Sequence, residues 1–154
     1  MKKGFTIIEL LIVIAIIAVL VGIALPRLRS MQMEGDYAKS AGELRTLQTS
    51  VESYYIHHSR AYPSQGTTVA TAVQTLLTAS TPRIIGSVLT DPFDPANPYR
   101  YATSAASNSE YYVIFSVGPD RTADITGINT AGAIAGHPDD DIYVSNGQNA
   151  TSGF

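Results

Sequence analysis

The apolar block near the N-terminus constrains this chain more than any other feature. From Phe5 to Leu25 there are 21 residues, of which fifteen are Ile, Leu, Val or Phe. As a helix, this block is about 31 Å long, which matches the hydrocarbon thickness of a bilayer. Its apolar side chains favour insertion by about 5–9 kcal/mol, whereas its one carboxylate, Glu9, costs roughly 3 kcal/mol. The block is therefore predicted to enter a membrane, and Glu9 needs a separate explanation.

The charges around this block predict its orientation. Lys2 and Lys3 precede it, so the positive-inside rule keeps the N-terminus in the cytoplasm and sends the rest of the chain across the membrane. Arg27 and Arg29 follow the block without reversing this prediction. A cleavable secretory signal is the alternative for a lysine-led apolar start. It is disfavoured because the block is too long and no Ala-x-Ala site follows Leu25.

The helical pattern continues beyond the block. Pro26 is expected to loosen or kink the helix without ending it. Tyr62-Pro63 should end it, because a residue before proline is driven out of the helical region. One apolar stripe at three- and four-residue steps runs through Met33, Tyr37, Ala41, Leu44, Leu47, Val51, Tyr54 and His58. The sequence therefore predicts one helix of about 55 residues, whose second half is amphipathic.

The C-terminal half predicts a short helix and a small sheet. Thr67 or Thr68 should cap a helix that ends near Ala79. Strands are predicted at Tyr99–Thr103, Tyr111–Val117 and Ile142–Val144. Between the last two, a loop of Gly, Ala, Thr and Asp is expected up to Asp141. The fold class that follows is α+β.

The distribution of charge and the missing cysteines limit the kind of partner. Residues 91–154 hold two Lys or Arg and eight Asp or Glu, which argues against nucleic acid and for a cation. The absence of cysteine excludes a disulfide framework and thiolate metal sites. Five carboxylates cluster around one loop: Asp120, Asp124, Asp139, Asp140 and Asp141. Such oxygens suit a hard cation such as Ca²⁺, and a solvated acidic loop is the alternative.

Catalytic patterns are weak in this sequence. His57 and His58 fall on different sides of a helix and cannot act as a pair. No nucleophile motif surrounds Ser59, and neither a phosphate loop nor a zinc motif is present. An enzyme is therefore not expected.

The run Gly4-Phe5-Thr6-Ile7-Ile8-Glu9-Leu10-Leu11-Ile12-Val13-Ile14-Ala15 resembles the N-terminus of type IV pilins and of type II secretion pseudopilins. The resemblance implies that a prepilin peptidase cleaves between Gly4 and Phe5 and N-methylates Phe5. It implies that Glu9 faces the Phe5 amine of a neighbouring subunit, with Gly22 and Pro26 also in the assembly segment. The implied division is a leader at 1–4, a transmembrane and filament-core segment at 5–29, and a globular domain at 30–154.

The C-terminal half resembles the major pseudopilin branch of that family. The matching segments are Leu89-Thr90-Asp91-Pro92-Phe93, Asn97-Pro98-Tyr99-Arg100-Tyr101, Phe115-Ser116-Val117-Gly118-Pro119-Asp120 and Asp140-Asp141-Ile142. The resemblance implies a Ca²⁺ ion held by the side chains of Asp120, Asp140 and Asp141 and by the Val117 carbonyl. Asp124 and Asp139 are further candidates. Phe93 stands where the family usually has tryptophan, and the loop from Asp120 to Asp140 is longer than expected.

The resemblance implies a pilin-like α+β subunit in which a long N-terminal helix packs on a small antiparallel sheet. Such subunits form a homo-oligomeric helical filament, here a periplasmic one anchored in the bacterial inner membrane. Minor pseudopilins, an assembly platform and the prepilin peptidase are the implied partners. The alternatives are a surface type IV pilus subunit and a membrane-tethered periplasmic binding domain.

Overall fold

A computed structural model of the chain describes residues 4, 6–64, 69–105 and 109–147. The chain divides into two compact units, residues 1–35 and 36–154, and each is described by itself below. The elements in chain order are α1 (Ile7–His57), α2 (Val69–Ala79), β1 (Arg100–Thr103), β2 (Tyr112–Ser116), β3 (Ile125–Ile128), β4 (Ile134–Gly136) and β5 (Ile142–Ser145). The expected cap at Thr67 or Thr68 lies outside the described residues. Helices and antiparallel strands together confirm the α+β class.

The long helix is present, and it continues through Pro26 as predicted. It ends at His57, five residues before the predicted stop at Tyr62. The reason is local, because Ser59 and Arg60 take left-handed φ angles of 56° and 58°. The Arg60 amide then donates to the Tyr55 carbonyl over 3.1 Å, which closes the last turn.

In the 36–154 unit, a three-stranded antiparallel sheet has the order β1-β2-β5. Tyr101 pairs with Ile114 across the first ladder, and Phe115 pairs with Tyr143 across the second. All five residues of the central strand β2 are buried. A strand covered on both faces reads as a continuous apolar run, which is why Tyr112–Phe115 shows no alternation with polar residues.

One face of this sheet is covered by helices. Leu44, Leu47 and Val51 of α1 are at most 2 % exposed and pack in one cluster with sheet residues such as Tyr112 and Ile114. Val73 and Leu77 of α2 belong to the same cluster. The predicted packing of the amphipathic part of α1 on the sheet is thus confirmed.

The opposite face is covered by a hairpin that the sequence analysis missed. The segment expected to be a loop up to Asp141 contains β3 and β4, which pair antiparallel. Ile125 and Ile128 of β3 pack against Val113 and Phe115 of the sheet. The prediction of a plain loop was therefore wrong, because burial against the sheet orders a segment of low strand propensity.

Candidate functional site

The first candidate site is the start of α1. Thr6 and Glu9 form a reciprocal capping box, in which the Thr6 amide and hydroxyl donate to Glu9 Oε2 over 3.1 and 2.9 Å. The Glu9 amide donates back to Thr6 Oγ1 over 3.3 Å. This arrangement satisfies donors that a helix N-terminus leaves unpaired. The Thr-x-x-Glu spacing carries the signal for this cap, and sequence reasoning overlooked it.

The cap leaves Glu9 able to take another partner. Both bonds from Thr6 end on Oε2, and no described residue donates to Oε1. Gly4 is exposed, while Phe5 lies outside the described residues, so its expected pairing with Glu9 stays a prediction.

The surface of this helix is apolar along its length. All fourteen Ile, Leu and Val side chains from Ile7 to Leu25 are exposed, by between 45 and 81 %. Among the described residues, α1 is the one helix long and apolar enough to span a membrane. A Cβ added at Gly22 would meet no atom within 4 Å, and Pro26 lies inside the helix. So large an apolar surface requires lipid or another protein to cover it.

The second candidate site is a group of three carboxylates. Asp120, Asp124 and Asp140 each offer an oxygen, and these oxygens all lie within 4.8 Å of one another. The Asp120 amide donates to Asp140 Oδ2 over 3.1 Å, which holds the two sides of the group together. Like charges this close repel one another, and a cation between them would remove the repulsion.

Asp141 is placed differently from these three residues. Its Oδ2 accepts the amides of Asp124 and Ile125 over 2.9 and 2.7 Å, so it holds the start of β3. Its Oδ1 is buried without a hydrogen-bond partner among the described residues. Burial raises the pKa of this carboxyl, against the lowering effect of the two amides. A bound cation would satisfy this buried carboxylate oxygen.

The other predicted ligands lie around the group. Val117 is buried one residue before the turn, and Asp139 is exposed, with its amide donating to the His137 carbonyl. The structure thus gathers Asp120, Asp124 and Asp140, whereas the family resemblance gave Asp141 a ligand role and left Asp124 as a further candidate. Oxygen donors of this kind fit a hard divalent cation such as Ca²⁺.

Two further residues position the acidic group, and neither was given this role by the sequence analysis. Asp91 is 1 % exposed and accepts bonds from Ser116 Oγ at 2.8 Å and from the Val117 amide at 3.0 Å, which fixes the end of β2. Gly118 follows with a φ of +67°, and a Cβ there would collide with the Asp140 carbonyl. The Asp-Pro and Gly-Pro pairs in the sequence signal turns, but not this proximity.

His57 and His58 have different surroundings. His58 stacks on Tyr54 with ring centroids 3.8 Å apart, while His57 is exposed. This placement matches the expectation that they cannot act as a pair.

Two family models match the chain. Residues 1–25 match the prokaryotic N-terminal methylation motif, and residues 27–132 match type II secretion system protein G. The type II secretion system core protein G of Dickeya chrysanthemi is 28% identical over 80% of this chain and 81% of its own length. The corresponding protein of Aeromonas hydrophila is 27% identical over 79% and 86%.

Pilins match a shorter part of the chain. A fimbrial protein of Neisseria meningitidis is 33% identical over 49% of this chain and 44% of its own length. No solved structure matches the chain significantly.

The match to protein G covers more than half of the chain, including the end of α1, the sheet strands β1 and β2 and hairpin strand β3. The chain therefore belongs to the type II secretion system protein G family of pilin-like filament subunits.

Proposed function

We propose that this chain is the major pseudopilin of a type II protein secretion system. In this role it is a structural subunit without catalytic activity, and it forms a filament that drives folded proteins across the outer membrane. The observation that carries the proposal is the match to protein G over residues 27–132, joined to an apolar segment from Ile7 to Leu25 whose exposed side chains need a cover. The inner membrane covers this helix before assembly, and neighbouring copies cover it in the filament.

A gene deletion tests this role. Without the subunit, folded secreted proteins should accumulate in the periplasm, and the wild-type chain supplied on a plasmid should restore their export. Normal export in the deletion strain would contradict the proposal.

A surface type IV pilus is the second candidate. A fimbrial protein of Eikenella corrodens is 45% identical over 56 residues, and these pilin matches cover about a third to a half of the chain. The same deletion separates the two roles, because loss of surface filaments and of twitching with unchanged export would favour the pilus.

Processing of the N-terminus is part of the proposal. The methylation motif at residues 1–25 supports cleavage between Gly4 and Phe5 by a prepilin peptidase, followed by N-methylation of Phe5. Mass spectrometry of the mature chain should give a methylated Phe5 as the first residue. A mature N-terminus near residue 26 would instead indicate a secretory signal.

We also propose that the acidic group holds one Ca²⁺ ion. Asp120, Asp124 and Asp140 would supply side-chain oxygens, and the ion would neutralise their mutual repulsion. The buried Asp141 Oδ1 and the Val117 carbonyl would be further oxygen ligands. Asp139 is exposed and lies outside the three-carboxylate group. The globular domain would lie in the periplasm, where the ion is accessible.

A further inference from the structure

One pair of opposite charges lies on α1 just beyond the apolar block. Arg29 and Glu34 are both exposed, and neither has an ion partner among the residues that the structure describes. On a helix, charges pair at spacings of three or four residues. The positions three and four away from Arg29 and from Glu34 carry no opposite charge, so their own helix cannot satisfy either residue. In contrast, Lys39 and Glu43 are four residues apart and approach to 4.0 Å.

The spacing of this pair suits contact between two parallel copies of the helix. Five residues correspond to about 140° of rotation and about 7.5 Å of rise, so Arg29 and Glu34 point to nearly opposite sides of one helix. When two parallel copies lie side by side and are shifted along the axis, the contact joins one side of the first helix to the opposite side of the second. Arg29 of the upper copy then meets Glu34 of the lower copy.

The expected pairing at the start of the helix requires a similar shift. Phe5 and Glu9 are four residues apart in the sequence, which corresponds to about 6 Å of helical rise. There too the positive group, the Phe5 amine that cleavage would create, precedes the carboxylate. The difference of about 1.5 Å between the two shifts is well within the reach of an arginine side chain. One axial shift of about 6–7.5 Å therefore brings the members of both pairs to the same level along the axis.

We propose that Arg29 of one subunit pairs with Glu34 of the next and sets the axial register of the filament, together with the Phe5–Glu9 contact. This inference rests on the proposed filament function and commits to a second copy of this chain as the partner. The apolar segment carries no further charge between Glu9 and Arg27, so its packing alone would tolerate sliding by a helical turn. A charge pair at each end penalises such a slip.

Charge reversal tests the pairing in the full chain, with filament yield measured by electron microscopy. Arg29→Glu and Glu34→Arg should each lower the yield severalfold, and the double exchange should restore most of it. Arg27→Glu is the matched control, because the same shift places Arg27 level with uncharged Met31 and Gln32 of the neighbour. It should change the yield little.

Cross-linking measures the register itself. The chain has no cysteine, so every disulfide in a variant involves an introduced cysteine. Leu25→Cys with Ser30→Cys reproduces the five-residue spacing one turn lower. The two Cα atoms within one helix lie about 8.6 Å apart, too far for a disulfide, so any bond joins two subunits. Oxidised filaments should give a ladder of covalent oligomers, and Leu25→Cys with Gln32→Cys should give far less.

The outcomes separate this inference from the function on which it rests. If the wild-type chain forms no filament under assembly conditions, both fall. If it forms filaments and the double exchange fails to restore them, or the cross-links favour the control pair, the pairing is overturned while the filament role stands. Loss of yield in Arg29→Glu without loss in Glu34→Arg would overturn it too, because Arg29 would then contact lipid headgroups.

Discussion

At the residue scale, the acidic group shows that the sequence position of a carboxylate does not reveal its structural role. Asp140 and Asp141 are adjacent, yet Asp140 joins the three-carboxylate group while Asp141 turns one oxygen to the amides of Asp124 and Ile125. The composition of the loop predicts a cation site, and this stays a prediction. Which carboxylates come together depends on the backbone amides of Asp124 and Ile125, whose positions the sequence does not reveal.

Replacement of a carboxylate in the group should remove the response to calcium. With Ca²⁺ present, the domain should melt at a higher temperature than with a chelator, because a ligand that binds only the folded state stabilises it. Asp140→Asn should abolish most of this difference, measured by calorimetry. Asp139→Asn, one residue away and exposed, is the control and should keep it. A wild-type domain indifferent to chelator would refute the site.

Gly118 should be intolerant of substitution. Its φ of +67° is costly for a residue with a Cβ, by about 1–2 kcal/mol, and the added atom would collide with Asp140. Gly118→Ala should therefore lower the free energy of unfolding by at least that amount and also weaken the calcium response. Gly86→Ala is the control, since a Cβ there meets nothing within 4 Å. Equal stability of both variants in urea titration would contradict this account.

At the scale of elements, the sequence predicted the helices and the three sheet strands but not the hairpin. Patterns that repeat over many residues, such as the apolar stripe of α1, can be recognised from the sequence alone. Strands β3 and β4 have four and three residues with glycine and alanine among them, too short and too weakly patterned to be recognised. They form because Ile125 and Ile128 cover the outer face of the sheet, which is a tertiary effect.

The hairpin should contribute to stability as part of the core. Ile125 is 2 % exposed, so Ile125→Ala should cost about 2–5 kcal/mol in the free energy of unfolding. Thr126 is its exposed neighbour, and Thr126→Ala should change stability far less. Chemical denaturation of the two variants measures both effects. A small loss for Ile125→Ala would mean that the segment is a dispensable loop after all.

The junction of α1 with the sheet should respond to alkaline pH. Tyr112 and Tyr62 donate to Glu52 over 2.7 and about 3.2 Å. Burial, and then the charge of Glu52, raises the pKa of Tyr62 to about 12, and burial raises the pKa values of Tyr99, Tyr101 and Tyr112 further. Tyrosines of the unfolded chain ionise near pH 10. The neutral buried tyrosines therefore contribute their full stabilisation of the fold below about pH 10, and this stabilisation is lost as the pH rises towards 12.

Ultraviolet titration of phenolate formation checks this prediction. Tyr62, Tyr99, Tyr101 and Tyr112 should ionise well above pH 10 or only as the domain unfolds. Glu52→Gln should lower the pKa of Tyr62 by removing a nearby charge, whereas Glu110→Gln, at an exposed position, should leave it unchanged. Ionisation of these four tyrosines near pH 10 in a folded domain would contradict the buried cluster.

At the scale of the whole molecule, this member of the protein G family is proposed to assemble through its N-terminal helix. In the proposed filament, the apolar surface would hold the helices together, and the charges at the two ends of the apolar block, Glu9 on one side and Arg29 with Glu34 on the other, would set their register. Glu9 has two roles in this account, as a helix cap within the subunit and as a charged partner between subunits. The variant Glu9→Gln separates them, because glutamine also serves at the third position of a capping box.

Assembly through this helix can be measured by electron microscopy of filaments from cells that express the full chain with its assembly machinery. The wild-type chain should form filaments, and Glu9→Gln should enter the membrane in equal amount but form few or none. Thr6→Ala, which removes the cap and keeps the charge, should still assemble. Filaments of Glu9→Gln at the wild-type yield would contradict the account.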